Sequence, residues 1–169
     1  RRALEPPAPF ILNPREPTDF PLGRWNLYIG GAGRAPAGYV NLDLFPMPGV
    51  DVAADAHRLP FPDAHFDLIT SAFGFRNLAD YDAGLREIMR VLRPGGEFGI
   101  LDFGEPEGLV GNCYRLYFKR VLPAVGTLIS GVKGPYAYLP ASVARFPAPG
   151  DMLQRIRETG FRDSSWTPY

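Results

Sequence analysis

The sequence predicts an α/β domain built on a mostly parallel sheet. Three observations predict it: short apolar runs set between glycine- and proline-marked turns, a helical repeat after the fourth run, and a glycine cluster directly behind the first. The 169 residues suit one domain with its own core. Hydrophobic residues make up 46% and charged residues 21%, which excludes disordered, fibrous and coiled-coil chains. Lys+Arg and Asp+Glu are both 18, so no net basic field draws nucleic acid, and none is expected as a partner. The single cysteine, Cys113, allows neither an internal disulfide nor a cysteine-based zinc site, which fits a reducing, cytoplasmic setting. No metal is expected.

Residues 1–24 hold six prolines (6, 7, 9, 14, 17 and 21) and no sustained period, so they read as an extended head before a domain spanning 25–169. The head is either a tail or a lid over a site. The chain begins Arg1-Arg2 with neither an initiator Met nor an apolar signal core, and reads as a processed or partial product. No run of about 18 apolar residues is present.

Trp25–Ile29 is the first strand expected, stopped by Gly30-Gly31-Ala32-Gly33. Gly38–Leu44 is the second, Val50–Ala54 the third and Phe66–Ser71 the fourth. Between Asp82 and Leu92 the apolar positions Leu85, Ile88, Met89 and Leu92 recur at helical spacing, and Arg93-Pro94-Gly95-Gly96 reads as the stop. Glu97–Phe103 is a fifth strand, Leu109–Leu122 and Gly150–Thr159 are helices, and Phe161–Tyr169 is a candidate last strand. In a parallel sheet the ligand lies beyond the carboxyl ends of the strands, which directs attention to 30–33, 43, 55–56, 71–77 and 102–106.

Each of those positions has a chemical reading and a plain one. Glycines after a buried strand let a ligand approach the backbone, but glycine is also the default residue of any tight turn. Asp43, ending the second strand, can accept two hydrogen bonds from a ribose diol, or it is a turn carboxylate. It follows Gly30 by only 13 residues, too few for a full crossover helix. Asp55, beside Ala56, can accept from an adenine amino group, or it closes an Asx turn.

In order along the chain, Leu27–Gly33, Asn41-Leu42-Asp43, Asp55-Ala56, Leu59-Pro60-Phe61-Pro62-Asp63 and Phe66-Asp67-Leu68-Ile69 resemble the motifs of class I S-adenosylmethionine-dependent methyltransferases. Ala72–Asn77, Arg90–Gly96, Leu101-Asp102-Phe103, Tyr136–Ser142 and Phe146-Pro147 are similar to the C-methyltransferases of ubiquinone and menaquinone biosynthesis. The resemblance implies a Rossmann-like methyltransferase sandwich with helices on both faces, its first helix shortened and its last strand missing. It implies S-adenosylmethionine as cofactor, with Gly30, Ala32 and Gly33 against the methionine part, Asp43 on the ribose and Asp55 with Ala56 framing the adenine. Ser71 and Phe73 would lie near the transferred methyl, and Arg76 and Asn77 would face a quinol or phenol ring as the catalytic pair. Asp102, Tyr136 and Tyr138 are candidates for a general base. His57 and His65 read as solvated loop residues.

The chain departs from the family pattern at several points. Tyr28 replaces an acidic residue, Ala32 the second glycine, and Asp102 and Gly104 a Glu and a Ser. The apolar segment Leu109–Gly131 reads as a helix packed on the sheet, as a cover for a lipid-tailed substrate, or as a basic amphipathic helix resting peripherally on a membrane. Two other functions stay open: a methyltransferase with a different small-molecule acceptor, and a non-catalytic methyltransferase-like binding domain. A short-chain dehydrogenase would want a Tyr-x-x-x-Lys pair, which Tyr114, Tyr117 and Lys119 do not make.

Overall fold

The first five apolar runs form strands, in a computed structural model that describes residues 10–12, 24–103 and 141–168. The strands are β1 (Phe10–Ile11), β2 (Asn26–Ile29), β3 (Val40–Asp43), β4 (Val52–Ala53), β5 (Phe66–Ala72) and β6 (Leu92–Leu101). Helix α1 (Tyr81–Val91) connects β5 to β6, and α2 (Pro149–Thr159) lies near the carboxyl terminus. By contact, Arg1–Asp102 and Ile156–Arg162 form one compact unit, and Phe103–Arg155 and Asp163–Tyr169 form another.

The sheet belongs to the first unit. Its order is β1-β4-β3-β2-β5-β6, parallel throughout except for β1, which runs antiparallel along β4. The chain therefore enters the middle of the sheet at β2, steps outward through β3 to β4, and returns across β2 to β5 and β6. This is the Rossmann-like arrangement, and its direction reverses between β2 and β5. Strand β1 comes from the proline-rich head: Phe10 pairs with Ala53, Ile11 with Val52, and the Leu12 N–H reaches the Asp51 carbonyl.

Leu27, Leu42, Phe66 and Ile69 from the sheet are fully buried, as are Leu85, Ile88 and Val91 from α1. Each such side chain contributes about 1.5–3 kcal/mol by leaving water. Helix α1 starts where Asp80 accepts a hydrogen bond from the Ala83 N–H, with Asp82 in its first turn. Its apolar stripe matches the spacing read in the sequence. At the far end α2 opens on Pro149, carries Asp151 early and Arg157 late, and closes at Gly160, whose φ is +112°. In the second unit residues 141–145 are helical, with Ser142 and Val143 buried.

Three expectations change. First, residues 30–39 between β2 and β3 contain turns and no helix, so the shortening expected there is complete. Second, β6 starts at Leu92 rather than Glu97. Phe66 pairs with Leu92 and Leu68 with Glu97, so Arg93–Gly96 bulge against the single residue Asp67. A proline is tolerated there because the residue sits in the bulge. Third, residues 161–168 form no strand, since the run is interrupted by Asp163 in the left-handed region at φ +52°. The expected helix Leu109–Leu122 and residues 104–106 and 136–140 lie outside the described residues. Among the described residues no helix is long and apolar enough to cross a membrane.

Candidate active site

The direction of the chain across the sheet reverses between β2 and β5, the place where such a sheet offers a crevice beyond its carboxyl ends, and Gly30 and Gly74 meet there. Gly30, directly after β2, has φ +79°, and a Cβ there would lie 3.1 Å from the Cα of Gly74. Gly74 follows β5, so the two exits touch backbone to backbone. Sequence reading gave Gly30 a role and took Gly74 only as part of the motif Ala72–Asn77. Gly33 meets a different constraint, because a Cβ there would lie 2.4 Å from the Pro48 carbonyl oxygen. Its nearest obstacle is therefore the protein itself.

Ala32 also has positive φ, +43°, and stands exposed. Its N–H donates to Asp43 Oδ2 at 2.9 Å, and the Phe45 N–H donates to Oδ1 at 3.3 Å. The carboxylate thus ties the glycine loop to the end of β3 while keeping a second lone pair on each oxygen. The Ala54 N–H donates to the Asp43 carbonyl, and Ala53 pairs with Asp43 across the ladder. Gly30 follows β2, Asp43 ends β3 and Asp55 follows β4, three neighbouring strands of the sheet. Tyr28, on β2, packs edge-on against Tyr39 at 6.2 Å.

Asp55 closes an Asx turn, with the His57 N–H donating to Oδ1 at 2.9 Å. Ala56 beside it is buried. His57 is not merely solvated: its Nδ1 contacts the same Oδ1, and its Nε2 accepts from the Asp80 N–H at 3.1 Å. His65 is half-buried. It packs against Trp25, Phe61 and Phe66, and burial, then Arg93, lower its pKa from the ordinary 6.5.

On the β5 side, Ser71 is buried and its hydroxyl donates to the Ile29 carbonyl at 2.9 Å, tying β5 to β2 beneath the crevice. Phe73 is 43% exposed with φ +58°, a conformation costly for a side chain of that size. Its N–H donates to the Leu101 carbonyl, and its own carbonyl accepts from Arg76. Arg76 is only 8% exposed. Its Nη1 donates to Asp102 Oδ1 at 2.8 Å and its backbone N–H to Oδ2 at 3.1 Å. Asp102 is 1% exposed at its side chain. Asn77 is exposed at the end of the short 3-10 turn Phe75–Asn77. Loop 73–77 is thus braced from the end of β6, which the sequence did not reveal. Tyr136 and Tyr138 lie outside the described residues.

The donors and acceptors suit an adenosyl group: two carboxylates with spare lone pairs at adjacent strand ends, and a strand exit where backbone meets backbone. The model of the ubiE/COQ5 methyltransferase family matches residues 48–169. The chain belongs to the ubiE/COQ5 methyltransferase family. A curated member of it, the demethylmenaquinone methyltransferase of Deinococcus radiodurans, is 57% identical over 109 residues, which cover 64% of this chain and 45% of that one. The ubiquinone/menaquinone biosynthesis C-methyltransferase UbiE of Shewanella halifaxensis is 41% identical over 117 residues, 69% of this chain and 47% of that one. The chain therefore spans about half the length of the curated family members it matches. A SAM dependent methyltransferase from Aquifex aeolicus shares the fold, with a TM-score of 0.53 at 17% identity over 82% of this chain and 72% of that one.

Proposed function

We propose that this chain carries the core of an S-adenosylmethionine-dependent C-methyltransferase acting on a quinol ring of the type made in ubiquinone and menaquinone biosynthesis. The observation that carries the reading is Asp43: its carboxylate holds the glycine loop through Ala32 and keeps lone pairs at the strand end where a ribose diol would lie. Family membership and the names of the relatives supply the acceptor class.

S-adenosylmethionine, when bound, supplies a methyl already made electrophilic by its sulfonium. The protein's work is to bind, align and exclude water. Gly30, Ala32 and Gly33 line the methionine end, Asp43 takes the ribose hydroxyls, and Asp55 with Ala56 takes the adenine. Ser71 keeps β2 and β5 together under the reacting centre, and Phe73 presents its ring beside it. Asn77 orients the ring hydroxyl of the acceptor. Arg76, its guanidinium shared with Asp102, would stabilise the negative charge that builds on that ring oxygen during transfer, directly or through water. A tailed quinol brings the protein to the cytoplasmic membrane surface without crossing it.

Methyl transfer from labelled cofactor to demethylated naphthoquinols and benzoquinols, against simple phenols, tests the reading. Quinol turnover is expected; turnover of non-quinone phenols alone overturns the acceptor. Titration with S-adenosylhomocysteine tests the cofactor, and no binding leaves only the non-catalytic domain. Asp43→Ala is expected to weaken that binding by about tenfold or more through loss of charge-assisted hydrogen bonds. Unchanged affinity removes Asp43 from the ribose.

A further inference from the structure

Two hydrogen-bond donors of one residue converge on one oxygen of Asp55. The His57 N–H and the His57 Nδ1 both meet Oδ1, and among the described residues Oδ2 takes no hydrogen bond. An Asx turn needs only the first of these. The second depends on the ring, and the ring is held from its other side. The Asp80 N–H donates to Nε2 at 3.1 Å, which makes Nε2 the acceptor and leaves the proton on Nδ1. Asp80 is itself fixed as the cap of α1, its Oδ1 accepting from the Ala83 N–H at 3.0 Å. A chain of hydrogen bonds therefore runs from the start of α1 through a histidine of defined tautomer to one oxygen of a carboxylate at the strand edge. It stops the carboxylate from turning and leaves the other oxygen for a ligand.

We propose that His57 is a positioning residue for adenine recognition: anchored to the first turn of α1, it locks Asp55 so that Oδ2 accepts from the exocyclic amine of the base. This rests on the cofactor reading given above. An acceptor held this way favours a 6-amino purine and disfavours a 6-oxo purine, whose oxygen would face a carboxylate oxygen with no proton between them. His57 thereby acts on base selectivity through Asp55, without touching the ligand.

The test compares S-adenosylhomocysteine with its inosyl counterpart by calorimetric titration of the full chain, in wild type, His57→Ala, His57→Gln and Asp55→Ala. The ratio of the two affinities does not depend on the folded fraction, because both ligands see the same one. Wild type is expected to prefer the adenosyl ligand by about tenfold or more. His57→Ala and Asp55→Ala are expected to bring the ratio within about threefold. His57→Gln, which offers one donor and one acceptor, is expected to restore most of it. Equal weakening of both ligands in His57→Ala, with the ratio kept, marks a merely structural histidine and overturns the proposal. So does a ratio lost in Asp55→Ala but intact in His57→Ala. If wild type binds neither ligand, the cofactor reading itself fails; if it binds both equally, only the adenine contact and this proposal fall.

Discussion

Ala32 shows how much a single backbone angle decides at this site. Its φ of +43° places a Cβ where glycine is at ease, while its N–H serves Asp43. The left-handed conformation costs a non-glycine residue about 1–2 kcal/mol. Glycine returns about 0.5–1 kcal/mol of that as extra freedom in the unfolded chain. Ala32→Gly is therefore expected to raise stability by up to about 1 kcal/mol, read as a shifted urea midpoint with an unchanged slope. The side chain is exposed, so no packing is lost to obscure the result, and a lower midpoint would show that φ is not what limits this loop. The sequence marked Ala32 as unusual because a glycine was expected there, and the angle supplies the reason. By contrast, nothing in the sequence marked Arg76 and Asp102 as partners. They stand 26 residues apart, and only the parallel pairing of β5 with β6 brings their strand ends together.

At the scale of elements, strands and helices with a regular repeat were legible and the irregular pairings were not. Strands β2 to β5 and α1 follow from apolar spacing. Two-residue β1 has no room for alternation, and the Arg93–Gly96 bulge reads as a helix stop until its partner strand is known. Leu59–Asp63 has no repeat at all, and α1 holds it. Arg90 donates to the carbonyls of Leu59 and Phe61, to Asp63 and to Glu87, while the Glu87 carboxylate accepts from the Leu59 N–H. Glu87 first and Asp63 second hold the Arg90 guanidinium more firmly protonated than usual. Arg90→Met keeps much of the apolar stem but strands two carbonyls and two carboxylates. It is expected to cost about 2 kcal/mol, with amide exchange rising first across 59–63. Arg90→Lys is expected to rescue little, since one ammonium cannot span a carbonyl pair and a carboxylate pair together. Full rescue by Lys would reduce the clamp to simple charge.

Across the whole molecule the net charge is zero, so its acid response depends on individual groups rather than on a global field. His65 and Asp67 flank the same strand start, where Trp25 gives its N–H to Asp67 and its ring to His65. His65 has a folded pKa below its ordinary 6.5, from burial first and Arg93 second. The unfolded chain therefore takes up that proton more readily, and the histidine's contribution is complete above pH 6.5 and fades as pH falls through its lowered folded value. Asp67 is pushed upward by burial, but the Trp25 N–H and Arg93 outweigh that and hold it below 3.8. Its contribution is present above 3.8 and is lost as pH falls through its own folded value. Both groups destabilise on acidification, in separate windows. Urea midpoints measured from pH 7.5 downward are expected to fall first below pH 6.5 and again below 3.8. His65→Phe, placed among the rings of Trp25, Phe61 and Phe66, is expected to remove much of the first decline and leave the second. A first decline of undiminished size in that variant would move the cause away from this aromatic cluster. The cluster lies at the strand start, at the opposite end of β5 from the crevice. The first loss of stability on acidification is therefore expected at the amino edge of the sheet.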